Sequence, residues 1–242
     1  MKTLFFSASL FALVFTSFAA AQSVTITPKK KVYKRTNPQS VVKKTFEIIY
    51  PKVKASTAVF SKRIETAINP VNILEVNVQK EINEYQWLEE ASYEVGYNKN
   101  GILSVMVFVH GVGAYPDGSS KTVVIDLKNG RRVTPADIFI NLKGLAAKLK
   151  KMQRAEIDAG KLELKKDPAM EEWIVNQIFG NSNFKIKDLN SFAISDAGVT
   201  FNYDYGFQHV IKALEPDGIF LITWAELRPF IKRPGLLARF VR

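Results

Sequence analysis

The chain has no cysteine in 242 residues, and that absence removes disulfides, thiolate catalysis, cysteine-ligated metals and the lipidated cysteine of a bacterial lipoprotein. Histidine is nearly missing too. A zinc site would need both His110 and His209, about a hundred positions apart, plus carboxylates, and none of the carboxylates stands at a motif spacing. No metal and no cofactor is therefore expected. There is no nucleophile elbow, no phosphate-binding glycine loop and no Asn-x-Ser/Thr sequon. The Ser-x-x-Lys matches at 40–43 and 182–185 fall in a basic stretch and after a helix stop, whereas a penicillin-recognising enzyme needs that motif at the start of a buried helix. Acid is also in deficit, with 23 Asp and Glu against 34 Lys and Arg and a formal net charge of +11.

Long apolar runs are confined to the start. Lys2, the apolar residues 4–18 and then Ala19-Ala20-Ala21-Gln22 have the form of a secretory signal peptide, too short and wrongly flanked for a membrane span. Removing residues 1–21 leaves 221 residues and takes away one lysine, so the charge falls from +11 to +10. The expectation is a mature protein without a transmembrane anchor, in the bacterial periplasm or outside the cell. A chain of this length can bury a sufficient core without disulfides. In that location its basic excess suits an anionic envelope polymer or an extracytoplasmic protein, and no nucleic acid.

Residues 22–44 carry Lys29, Lys30, Lys31, Lys34, Arg35, Lys43 and Lys44 with no apolar periodicity, and read as a basic extended leader. Residues 45–232 read as an α+β domain, an antiparallel β-meander with inserted helices, in one unit or two lobes. Residues 233–242 read as a short basic tail. The meander is clearest at 93–140. Asn100-Gly101 suits a two-residue hairpin turn, Lys128-Asn129-Gly130 marks a second turn, and residues 102–109 are apolar on both faces, as a strand covered on each side would be. Helices are expected from the spacing of Phe60, Ile64 and Ile68, and from that of Leu74, Val78, Ile82 and Tyr85. Others follow Thr134-Pro135, run through Leu142, Leu145, Leu149 and Met152, and open at Asp167-Pro168 with Met170, Trp173, Ile174 and Ile178 inward. Thr223-Trp224-Ala225-Glu226 is a capping box before Pro229.

No residue is assigned a catalytic role. His110 shares a strand face with Met106 and Phe108 and reads as a core or rim histidine, while Asp126 and Asp137 read as turn and helix-start carboxylates. Glycines 111, 113 and 118 define a loop that presents Tyr115 and Asp117, the combination of aromatic and polar surface that recognition uses. Tyr205 and His209, in the polar and aromatic segment 202–209, complete the candidate binding residues.

Four short motifs occur in order: Gly113-Ala114-Tyr115-Pro116, then Asp126-Leu127-Lys128-Asn129-Gly130, Asp137-Ile138-Phe139, and Gly198-Val199-Thr200-Phe201; Trp224-Ala225-Glu226-Leu227 follows as a looser fifth. In this pattern, over residues 46–231, the chain resembles extracytoplasmic domains of unknown function typified by the C-terminal domain of the anti-sigma factor RsiV, a lysozyme receptor. Related domains accompany peptidoglycan deacetylases. Tyr115 stands where the family has histidine and Val112 where it has glycine, and the sigma-binding region and transmembrane helix are missing, so signal transduction does not transfer. The resemblance implies an α+β domain that binds wall-associated partners. Three functions follow as expectations: a non-enzymatic module for peptidoglycan or another anionic envelope component, a cell-wall hydrolase or deacetylase, or an inhibitor or receptor of a wall-degrading enzyme such as lysozyme. A charge of +10 repels basic lysozymes at long range.

Overall fold

A computed structural model describes residues 23–40, 42–167, 171–180 and 182–241. The signal peptide expected at 1–21 lies outside the described residues. The fold is α+β, built on a six-stranded sheet in sequential order: β1 (Thr25–Lys34), β2 (Thr45–Lys54), β3 (Leu88–Lys99), β4 (Ile102–Val112), β5 (Pro116–Asp126) and β6 (Arg131–Arg132). All neighbours are antiparallel except β2 and β3, whose parallel pairing spans a crossover that holds α1 (Ala58–Ala67), α2 (Pro70–Ile73) and α3 (Val78–Lys80). Then come α4 (Pro135–Ile138), α5 (Leu142–Leu164) and α6 (Glu172–Phe179). A second antiparallel sheet follows, β7 (Phe192–Ile194), β8 (Gly198–Asn202) and β9 (Ile219–Thr223), and then α7 (Trp224–Leu227).

The two sheets share one core. Alternate residues of β4, Leu103, Val105 and Val107, pack with Ile64 of α1 and with Ile68, its C-cap, on one face. On the other, Tyr97, Ile102 and Val124 join Phe192, Ile194, Val199 and Phe201 of the second sheet and Leu145 and Leu149 of α5. Ser104, buried between the layers, accepts the Ile194 N–H at its hydroxyl (3.3 Å). The second sheet covers only the proximal half of β4, so Met106 is exposed although the sequence has it apolar. Coverage of both faces thus stops at Val105.

Local chemistry sets the turns. Asn100 and Gly101 both have positive φ (55° and 70°), as a hairpin turn that matches strand twist requires. Thr134 and Asp137 cap α4 reciprocally, and Thr223 and Glu226 do the same for α7. Elsewhere the structure departs from the sequence reading. Residues 25–34 are a ten-residue edge strand rather than an extended leader without an element: β1 pairs with β2 along its whole length, and its lysines point to solvent, which erases any apolar alternation. The helix expected across 74–85 is broken. Glu75 has positive φ, α3 starts only after Asn77 caps it, and the carboxylate of Glu81 turns back to accept the N–H groups of Trp87 and Leu88 (3.1 and 2.9 Å).

Helix α6 keeps Ile178 packed on its cluster as expected but otherwise departs from the expected phase. It begins at Glu172, so Val175 and Phe179 face inward against Ile157 and Phe207, while Trp173 is exposed. Residues 168–170 and the side chain of Ile174 lie outside the described residues. The stretch read as a basic tail belongs to the core: Leu237 and Val241 are buried, and Phe240 stacks on Trp224 (4.2 Å between centroids). Among the described residues no helix is long and apolar enough to cross a membrane.

Candidate functional site

The Gly111 to Gly118 segment is a hairpin arm rather than a loop. The β4–β5 ladder runs through it to the pair Val112 and Pro116, with His110 opposite Gly118 and Gly111 opposite Asp117. Gly111 is needed for close approach, since a Cβ there would lie 2.2 Å from the carbonyl oxygen of Trp87, which accepts the neighbouring Val112 N–H (3.0 Å). Tyr115 is 62% exposed at the tip. Asp117 is exposed and accepts the N–H of Gly118 (2.7 Å). His110 is exposed as well, a rim position on β4.

Tyr205 lies apart from the arm's tip in role. It is half-buried; its hydroxyl donates to Glu156 of α5 (2.6 Å), and its ring packs edge-on against Tyr203 and Phe207. Burial first, and then the bond to Glu156, push its pKa well above the ordinary tyrosine range, so it is a neutral donor. The backbone of His209 opens a 3-10 turn, residues His209–Leu214; its side chain lies outside the described residues. The arm and this segment approach each other: the ammonium of Lys212, held protonated first by its partner Glu215, also feels the carboxylates of Asp204 and Asp117.

A cleft of about 790 Å³ runs along the inner part of β5. That is the size of a small-ligand or peptide site. Its base is residues 121–124 of β5, Arg132 of β6 and residues 133–134 that follow it. One wall is Asn72, Ile73 and Glu75 at the end of α2, and the other is formed by residues of 183–192 with Asn202, Tyr203 and Asp204. The second wall is held by two hydrogen bonds: Gln153 of α5, 1% exposed, accepts the buried Phe184 N–H (2.7 Å), and the Tyr203 hydroxyl accepts the exposed N–H of Asn183 (3.1 Å).

Four cations line this cleft, Lys121, Arg132, Lys185 and Lys187. Among the described residues none of them forms an ion pair; the paired lysines and arginines lie elsewhere. Lys121 reaches the carbonyl of Ile73 (3.4 Å) and Arg132 that of Ala67 (3.1 Å), so both heads are fixed by neutral acceptors that leave their charge uncompensated. Of the three carboxylates present, Asp188 accepts the Lys185 N–H (2.6 Å) and Asp204 the Gly206 N–H (2.8 Å), and Glu75 stands on the first wall. The arrangement can hold a ligand that carries negative charge and hydrogen-bonding groups. No sequence signal could have assembled it, since its cations come one or two at a time from three separated segments. None of the binding candidates read from the sequence, Tyr115, Asp117, Tyr205 and His209, lines this cleft.

No protein-family model matches the chain, and neither does any curated protein. Solved structures do. A member of the DUF3298 family from Bacteroides fragilis superposes with a TM-score of 0.57 at 12% identity, over 91% of this chain and 97% of that one. A DUF3298 protein from Pseudomonas aeruginosa PAO1 gives 0.54 at 12% identity, over 88% and 95%. At such identity the likeness is one of fold: nearly the whole chain is built on the architecture of these domains of unknown function.

Proposed function

We propose that this chain is an exported, non-enzymatic binding module whose cleft along β5 takes an anionic envelope polymer, peptidoglycan before others. The observation that carries the reading is the group of four cations without ion pairs, two of them anchored by neutral carbonyls, in the cleft. Some lysines elsewhere are paired, as Lys43 is with Glu89 and Lys148 with Glu226. Solvated charges attract a polyanion over a Debye length, about 8 Å at physiological ionic strength. Fixed cations in a concave site add a preferred position.

Deleting residues 22–44 would not test this, because it strips β1 and the buried Arg35 from the sheet. Charge reversal does. In co-sedimentation with purified sacculi, the wild type is expected to pellet at low salt and be released by added salt. Lys185→Glu combined with Lys187→Glu should weaken binding by about tenfold or more with an unchanged melting temperature, since both side chains are exposed. Salt-insensitive binding, no binding, or a double variant that binds like the wild type overturns the proposal.

A further inference from the structure

The two edges of the six-stranded sheet are built differently. The β1 edge carries Pro28, Lys29, Lys30, Lys31 and Lys34, the proline and charges that keep an edge from pairing with another chain. At the other end β6 covers β5 only at Ile125 and Asp126, with one further bond from the Val133 N–H to the Val124 carbonyl (2.8 Å). Because Val124 presents its backbone to that side, the alternating geometry of a strand turns the N–H and C=O of Thr122, Ser120 and Gly118 the same way. Among the described residues no strand meets them, and only the Gly118 N–H has a partner, the carboxylate of Asp117.

This open edge starts at the base of the cleft, at Thr122, and continues out along the hairpin arm. From Gly118 to Thr122 the edge runs about 13 Å, the span of a peptide of four or five residues. Lys121 on β5, and Lys185 and Lys187 on the wall of the cleft that the edge enters at Thr122, would meet carboxylates at that end of such a peptide.

Resting on the function proposed above, we infer that the cleft recognises the peptide stems of peptidoglycan rather than its sugar chains: a stem, short and rich in free carboxylates, adds as a strand to β5. Backbone pairing supplies the register and the lysines select the charge.

The test uses the full mature chain with three probes: intact sacculi, glycan strands stripped of their stems by an amidase, and the released stem tetrapeptide. Sacculi and tetrapeptide should bind and stripped glycan should not. Thr122→Pro deletes an outward N–H without touching the ladder to β4, and should weaken tetrapeptide binding by about tenfold, whereas Thr122→Ala, which keeps that N–H, should bind like the wild type. If sacculi bind but stripped glycan binds equally, or Thr122→Pro binds normally, the inference is wrong and the polymer-binding function stands. Failure of all three probes overturns both. Should Thr122→Pro not fold by circular dichroism, hydrogen exchange on the wild type decides: added tetrapeptide should protect the Ser120 and Thr122 amides, and unchanged exchange overturns the inference.

Discussion

Arg35 shows how far a residue's role can lie from its appearance in the sequence. It stands in a run of lysines and reads as one more solvated charge, yet it is 2% exposed. Its guanidinium donates to the carbonyls of Lys43 (2.8 Å) and Leu88 (2.6 Å) and lies over the ring of Phe46. It therefore ties the β1–β2 connection to β3. Arg35→Ala leaves two acceptors unpaired beside a cavity and should cost about 3 kcal/mol in chemical denaturation. Tyr115 makes the opposite case. With the tip backbone set by Gly113 and Pro116 and the ring mostly exposed, Tyr115→Ala should change stability by about 0.5 kcal/mol, a shift of about 2 °C in melting temperature. A collapse of the fold would make the tip structural.

Elements were legible where their cause is local. The Asn100-Gly101 turn, the Thr134-Pro135 start and the Thr223 to Glu226 capping box each depend on residues a few positions apart, and all three are present. What failed needs distant partners. Edge strand β1 exists because β2 offers a ladder, and the phase of α6 is set by Ile157 and Phe207, one earlier and one later in the chain. The α7 cap yields a pH prediction. The bond from Lys148 and then those from Thr223 hold the Glu226 carboxyl down to about 2 from an ordinary 4.5. Since the folded pKa is the lower one, this stabilisation is fully present above about pH 4.5 and fades as the pH falls towards 2. Wild type should therefore melt above Glu226→Gln at neutral pH and converge with it near pH 2; a constant gap would contradict the capping role.

At the scale of the whole molecule, the fold was readable and the site was not. An α+β meander with inserted helices follows from periodicity and turn chemistry, whereas the cleft arises only when β5, the end of α2 and the 183–192 wall meet. Charge links the scales. The sequence shows an excess of +11, and the cleft gathers four cations that form none of the molecule's ion pairs among the described residues. The central claim is that the envelope ligand sits in that cleft, and amide chemical-shift mapping during titration with soluble peptidoglycan fragments tests it most directly. Shifts should cluster at residues 121–124, 132–134 and 185–192 and diminish with salt. Shifts confined to the lysines of β1, or scattered without saturation, would contradict the account.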